Sequence, residues 1–386
     1  MLTEALTEAT TPPLDLLLVG GTVIDPSQCL HATKEIGIAQ GRIVLVEDSI
    51  PRARARQLVD CSGLIVTPGL VDLQVHVYEG ASHYGIDVDA TCLATGATTV
   101  LDLGSAGAWT FSGFRRSVID VAQTRVYALL NLSTTGMVSP IVGELEDIRN
   151  VDNALTSRVL RANRDVVLGI KLRMSTPLVG NNGAEALRLG RELCDDLQVP
   201  LVIHPGNSEV SIGQILEHMV AGDVLTHAYH GNTEGTLDEN GKLKSEVRAA
   251  AGRGVLFDVG HGRGSFSWDV AEKSLAQGFV ANTISSDLHV YNLHGPVFDL
   301  ATTVMKFVHL GLSLDDAIAH ATILPAQAMG VADEVGSLEI GRAADVAAFE
   351  LLEGSFDFYD SGDVVRTARQ RLAPKVVVKS GRVVRS

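Results

Sequence analysis

Pro68-Gly69-Leu70-Val71-Asp72-Leu73-Gln74-Val75-His76 is an apolar run that ends in polar side chains. A proline and a glycine open it, and aliphatic residues carry it. It therefore reads as a buried strand whose last residues, Gln74 and His76, are polar where a core strand would stay apolar. Side chains two apart on a strand share a face, so Gln74 and His76 point the same way at its C-terminal end.

The same grammar repeats along the chain. Short β-branched runs over 70–78, 98–103, 125–132, 166–173, 200–204, 223–227, 254–259 and 281–286 alternate with stretches of helical period such as 184–197 and 245–253. That alternation predicts parallel strands joined by crossover helices. The span 68–335 suits one distorted (β/α)8 barrel, typically about 250 residues long. A doubly wound open sheet would alternate similarly, so strand count favours the barrel only in part. Residues 313–329 read as one closing helix, with Ser313 as its N-cap and Asp315 and Asp316 in the first turn.

Outside this span the chain reads as β-hairpins. Strand-like 16–19 and 22–24 flank Gly20-Gly21, and 36–39 and 42–47 flank Gln40-Gly41. At the far end 345–351 is strand-like, and 375–379 and 382–385 flank Ser380-Gly381. These segments predict one small β-sandwich-like domain built from both termini, residues 1–67 and 336–386. The fold class is α/β.

The 386 residues carry a net charge of -15, with 46% hydrophobic and 20% charged residues. Such a chain buries a core and is not disordered. Its negative charge argues against nucleic acid or an anionic membrane surface as the main partner. Cysteines 29, 61, 92 and 194 have no close-pair metal spacing and are too sparse for a disulfide framework. Residues 1–13 carry Glu4 and Glu8 and lack the layout of a secretory signal, and no apolar run reaches the roughly 18 residues of a membrane helix. A cytoplasmic protein is expected.

Polar residues fall at the C-terminal ends of the expected strands, where barrel enzymes hold their catalytic groups. Gln74 and His76 close the first, Lys171 and Arg173 the fourth, His204 the fifth and His227 the sixth, and Asp287 follows the eighth. Histidines and a carboxylate converging on one rim suit zinc or a similar divalent ion. Taken singly, a strand-end histidine is ordinarily just a hydrogen-bonded polar residue, and a buried lysine half of an ion pair. Gly260-His261-Gly262-Arg263-Gly264 has the wrong spacing for a phosphate loop.

In this order the residues resemble the amidohydrolase superfamily of metal-dependent hydrolases over essentially the whole chain. Residues 68–76 resemble its strand-one metal motif, and Gly336-Ser337-Leu338-Glu339-Ile340-Gly341-Arg342-Ala343-Ala344-Asp345 its return into the β domain. Gly169-Ile170-Lys171-Leu172-Arg173, Leu225-Thr226-His227-Ala228-Tyr229-His230-Gly231 and Phe257-Asp258-Val259-Gly260-His261-Gly262 are similar to dihydroorotase-like proteins, and most of all to a branch of acetyl-ester and N-acyl deacetylases.

The resemblance implies a carboxylated Lys171 bridging two metals, with His204 and His227 on one ion and His76, its partner two residues earlier and Asp287 on the other. Asp287 is then the catalytic base. The sequence departs from the family pattern at Gln74, where most members have histidine. An amide oxygen is a weaker zinc ligand than imidazole, so one or two ions per chain remain open, the one on Lys171, His204 and His227 being the better held. Arg173, sharing a face with Lys171, is the candidate clamp for a substrate carboxylate, and His261 the first of the rim histidines expected to touch substrate.

The expected activity is deacylation of a small N-acyl or O-acetyl carboxylic acid by metal-activated water. A cyclic amidase of the dihydroorotase or hydantoinase type is the alternative, and a non-catalytic scaffold the reading from another class. A homo-oligomer is expected.

Overall fold

Seven parallel strands run in chain order around one sheet: Leu70–Val75, Ala97–Gly107, Arg125–Asn131, Val167–Arg173, Leu201–His204, Val224–Leu225 and Leu256–Phe257. The structure is a computed structural model that describes residues 13–385. The reading of 1–13 as unlike a secretory signal falls on residues outside those described, Pro13 excepted.

The expected eighth strand is irregular. Thr283 bridges to Asp258 and Leu288 to Val75, so residues 283–288 join the last strand to the first by single bridges. Side chains supply what the backbone ladder lacks. The Ser286 amide donates to Asp72 Oδ1 at 3.0 Å, and Thr283 Oγ1 and Ser285 Oγ each donate to Asp258 at 2.7 Å. The ring thus closes through buried carboxylates on its first and seventh strands, and the barrel expectation holds.

Inside the ring the pleat separates core from chemistry. Val202 and His204 share a face of one strand: Val202 joins an apolar cluster with Leu101, Leu129 and Val224, and His204 stands at the strand's C-terminal end.

Strands from both ends of the chain build the remaining sheets. One holds Leu14–Val19, Glu35–Ala39, Arg42–Glu47 and Ala55–Asp60; the other holds Arg382–Arg385, Val365–Lys379, Val346–Tyr359, Ile65–Pro68, Thr22–Asp25 and Leu30–Thr33. Leu16, Ile36, Val23, Val66, Val346 and Val378 from the two form one buried cluster.

Gln40-Gly41 and Ser380-Gly381 do turn hairpins, each pair with positive φ as the twist-matched two-residue turn requires. Gly20-Gly21 does not. Leu14–Val19 pairs with Glu35–Ala39, whereas Thr22–Asp25 pairs with Leu30–Thr33 and Ile65–Pro68, so the glycines carry the chain between sheets. The single helix expected over 313–329 is two, Leu314–Ala319 and Ile323–Ala328, because Pro325 has no amide proton to continue the first. Ser313 caps as expected, accepting from the Asp316 amide.

The long hairpin of Val346–Tyr359 and Val365–Lys379 was not legible beyond its first residues. Buried Asp345 anchors its base, accepting from Lys379 Nζ at 2.6 Å and from the Ser380 amide at 2.8 Å. Asp345→Ala leaves the Lys379 ammonium buried without its counter-charge and is expected to cost about 3 kcal/mol of unfolding free energy, read by urea denaturation.

Candidate active site

The polar strand ends converge. Gln74, His76, Lys171, Arg173, His204 and Asp287 line one hollow of about 390 Å³ at the C-terminal end of the barrel. Another hollow, of about 480 Å³, opens at the opposite end among Leu73, Leu101, Leu103 and Leu129. Its walls are mainly apolar and hold none of the histidines, so the candidate chemistry belongs to the former.

Lys171 is its most unusual member. Its side chain is wholly buried, and its Nζ has no hydrogen-bond partner among the described residues. Burial pulls the amine down to about 7, against the pull of nearby carboxylates led by Asp287. The histidines around it are also held neutral. Burial lowers His76 and His227 to about 3 and His204 well below its ordinary value, with a positive Lys171 adding to the shift of each.

Each ring is aimed by a partner. His227, in the left-handed region at φ 61°, places Nδ1 2.6 Å from the Gly260 carbonyl, which fixes the proton there and leaves Nε2 as an acceptor. Its ring meets that of His204 edge-on at 4.3 Å between centroids, and His204 Nε2 lies 3.4 Å from Ser175 Oγ. His76 Nδ1 lies 2.9 Å from Ser105 Oγ, and its Nε2 stands 3.3 Å from Asp287 Oδ1.

Asp287 is held in a strained backbone conformation, φ 50°, by the closure of the ring and by Asn292 Nδ2, which donates to its carbonyl at 2.8 Å. Gln74 reaches it from the first strand, its Nε2 donating to Asp287 Oδ1 at 2.9 Å. The Gln74 carbonyl turns the other way and accepts from Thr226 Oγ1. In this arrangement the amide shows the site its nitrogen, a donor, which is not a metal ligand.

Among the described residues no three His, Cys, Asp or Glu side chains converge tightly enough to hold a metal by themselves. The donor set still fits a divalent cation if Lys171 counts. Two neutral imidazoles lie beside a buried amine with no partner, and an amine of that kind becomes an anionic oxygen ligand once carboxylated.

The two residues expected to touch substrate both have partners within the protein. Arg173 lines the hollow, but its Nε and Nη2 both meet the Glu144 carboxylate and Nη1 lies 3.3 Å from Tyr84 Oη. His261 is fully buried away from the hollow, stacked on Phe266, with Nε2 2.6 Å from Lys306 Nζ. Lys306 also donates to the Pro296 and Tyr359 carbonyls at 2.8 and 2.7 Å, so His261 anchors a loop there.

Sequence reasoning missed Asp72, Asp258, Thr226 and Glu144. Burial pushes Asp72 up to about 7 and also raises Asp258. Asp72 shares parity with Gln74 and could have been found; Glu144, in a loop far along the chain, carries no such signal.

The amidohydrolase family profile matches residues 65–384. The chain belongs to the amidohydrolase family and is a hydrolase, and members of that family generally use divalent metals and a carboxylated lysine. A deacetylase of Agrobacterium fabrum is 33% identical over 331 residues, covering 85% of this chain and 81% of its own length. Among solved structures, an adenine deaminase superposes with a TM-score of 0.90 at 33% identity, covering 97% of this chain and 100% of its own. A dihydroorotase does so at 0.87 with 28% identity, covering 96% and 99%.

Gly262 passes so close to the site that a Cβ there would stand 2.4 Å from Asp287 Oδ2, at a backbone φ of 56°. Gly262→Ala is expected to lower hydrolytic kcat/KM about 100-fold by displacing Asp287. Its melting midpoint should fall by only a few degrees, the cost of about 1–2 kcal/mol for the backbone strain. Steady-state kinetics and calorimetry on the same preparation check both.

Proposed function

We propose that the chain is a metal-dependent deacylase of small N-acyl or O-acetyl carboxylic acids, working in the hollow around Lys171. The observation that carries this reading is the gathering of a partnerless buried lysine, neutral His204 and Asp287 in one pocket, with the neutral His227 ring packed edge-on against His204. The likeness to a deacetylase over most of both chains supports the choice of acyl substrate.

The Lys171 amine, neutral above about pH 7, attacks carbon dioxide, forms an N–C bond and loses a proton to become a carbamate. That anion, His204 and His227 would hold one divalent cation, zinc by the chemistry of the donors. When bound, such a cation supplies Lewis acidity: it polarises a carbonyl and makes water a stronger acid. Asp287 takes a proton from the attacking water at its carboxylate and returns it to the leaving nitrogen or oxygen. Gln74 holds Oδ1 of that carboxylate by its amide N–H, and His76 flanks the same oxygen. The pocket keeps this exchange largely out of bulk water, Asp287 being 8% exposed.

A cyclic amidase is the second reading, favoured by the dihydroorotase likeness at a TM-score of 0.87. Ring opening in a substrate panel, without acyl release from linear compounds, would select it.

Metal content per chain tests the reading first. Protein grown with zinc and bicarbonate should hold about one ion, and Gln74→His about two, by elemental analysis. No ion in the folded wild-type chain would sink the proposal. Asp287→Asn should keep the fold while losing at least 1,000-fold in kcat, roughly the upper part of the range for a general base; wild-type turnover in that variant would remove Asp287 from its role.

Activation should also depend on pH. The amine is protonated below about 7 and free above it, so at a fixed concentration of dissolved carbon dioxide the rate at which carbon dioxide and zinc restore the metal-free protein should climb through that value, read by stopped-time assays from pH 6 to 8.5.

A further inference from the structure

Two arginines line the pocket, and they differ in what already occupies their guanidinium groups. Arg173 is 6% exposed and faces a carboxylate as buried as itself, Glu144, through two of its nitrogens. Its third nitrogen lies 3.3 Å from Tyr84 Oη, and its charge sits 5.4 Å from the centre of the Tyr84 ring. Such a unit is electrically neutral. A substrate carboxylate arriving there would have to share donors with Glu144 and lie beside its charge.

Arg263 is the opposite case. It lines the same hollow and follows Gly262, where an added Cβ would stand 2.4 Å from Asp287 Oδ2. Its contacts are long: Nη1 donates to the Ser361 carbonyl at 3.4 Å, and Nη2 lies 3.7 Å from Asp363 Oδ1. Asp363 is 73% exposed, and a pair this open to water is worth little. Most of the five N–H donors of the fork are therefore free for a ligand.

The loop that carries this cation is braced. The Ser361 amide donates to the Phe266 carbonyl at 2.9 Å, and the Phe266 amide to Ser361 Oγ at 3.0 Å. Behind them Lys306 ties His261 to the Tyr359 carbonyl. The tip of the C-terminal hairpin thus holds the loop against the barrel mouth and meets the guanidinium only through the long Ser361 and Asp363 contacts.

The geometry points to Arg263, and not Arg173, as the residue that binds the substrate's carboxylate and so selects anionic acyl compounds. This rests on the deacylase reading of the site. The substrate carboxylate displaces the weak Asp363 contact and takes the planar fork, leaving the acyl carbonyl toward Lys171, His204 and Asp287.

The test compares N-acetylalanine and N-acetylleucine, both enantiomers, with their carboxamides in the wild type and in Arg263→Gln. The carboxamide-to-carboxylate KM ratio should fall about 10–100-fold in the variant, the worth of hydrogen bonds to a charged group. The loss should fall on KM rather than kcat, and Arg263→Lys should restore part of it, a point charge replacing a fork. An unchanged ratio overturns the assignment. Calorimetric titration with the same carboxylates reads Arg263 independently of turnover. Weaker binding in Arg263→Gln upholds the proposal even where the wild type hydrolyses neither compound, which would refute the deacylase reading alone. Equal binding in both proteins, or none in the wild type, overturns it.

Discussion

The rest of the site depends on one desolvated amine. Lys171 is removed from water and given no hydrogen-bond partner. In most folds such an amine is half of an ion pair, because an unpaired buried charge is expensive. Here the neighbouring imidazoles are uncharged and the nearest carboxylates are committed elsewhere. Asp258 accepts from the hydroxyls of Thr283 and Ser285, and Asp287 accepts from Gln74. A neutral amine near physiological pH is the result, and a neutral amine is the form that can react with carbon dioxide.

Closing the barrel and building the site are the same act. A regular eighth strand would have paired its backbone on both sides and sent its side chains alternately inward and outward. Residues 283–288 instead hang from Asp72 and Asp258 by hydroxyl and amide donors. That irregular suspension lets Asp287 adopt φ 50° and reach Gln74 and His76 together. The loop after the seventh strand then fits over it only because position 262 has no side chain. On the outer side, the hairpin of Val346–Tyr359 and Val365–Lys379 clamps the same loop, so a sheet with strands from both ends of the chain reaches the barrel mouth.

Much of this was legible in the sequence because periodicity reports faces. The strands ending in Gln74, His76, Lys171, Arg173 and His204 all occur within the predicted runs, and their polar ends meet as the pleat requires. What periodicity does not report is partnership. Gly20-Gly21 looks like the Gln40-Gly41 turn, yet only the latter joins two strands of one sheet. Glu144 sits 29 residues before Arg173 and neutralises it, and Lys306 sits 45 residues after His261 and withdraws it from the pocket. Such pairings are set by which loops meet at the rim. For the same reason Gln74 reads in sequence as a weak ligand and in the structure as a donor to Asp287.

In the proposed function Lys171 is a carbon dioxide acceptor and not an ammonium. Carbon-13 NMR of protein grown with labelled bicarbonate measures this directly. A carbamate carbon is expected, one per chain, that disappears in Lys171→Met and is lost on acidification well below pH 7. A spectrum without that carbon in folded, metal-loaded protein would contradict it.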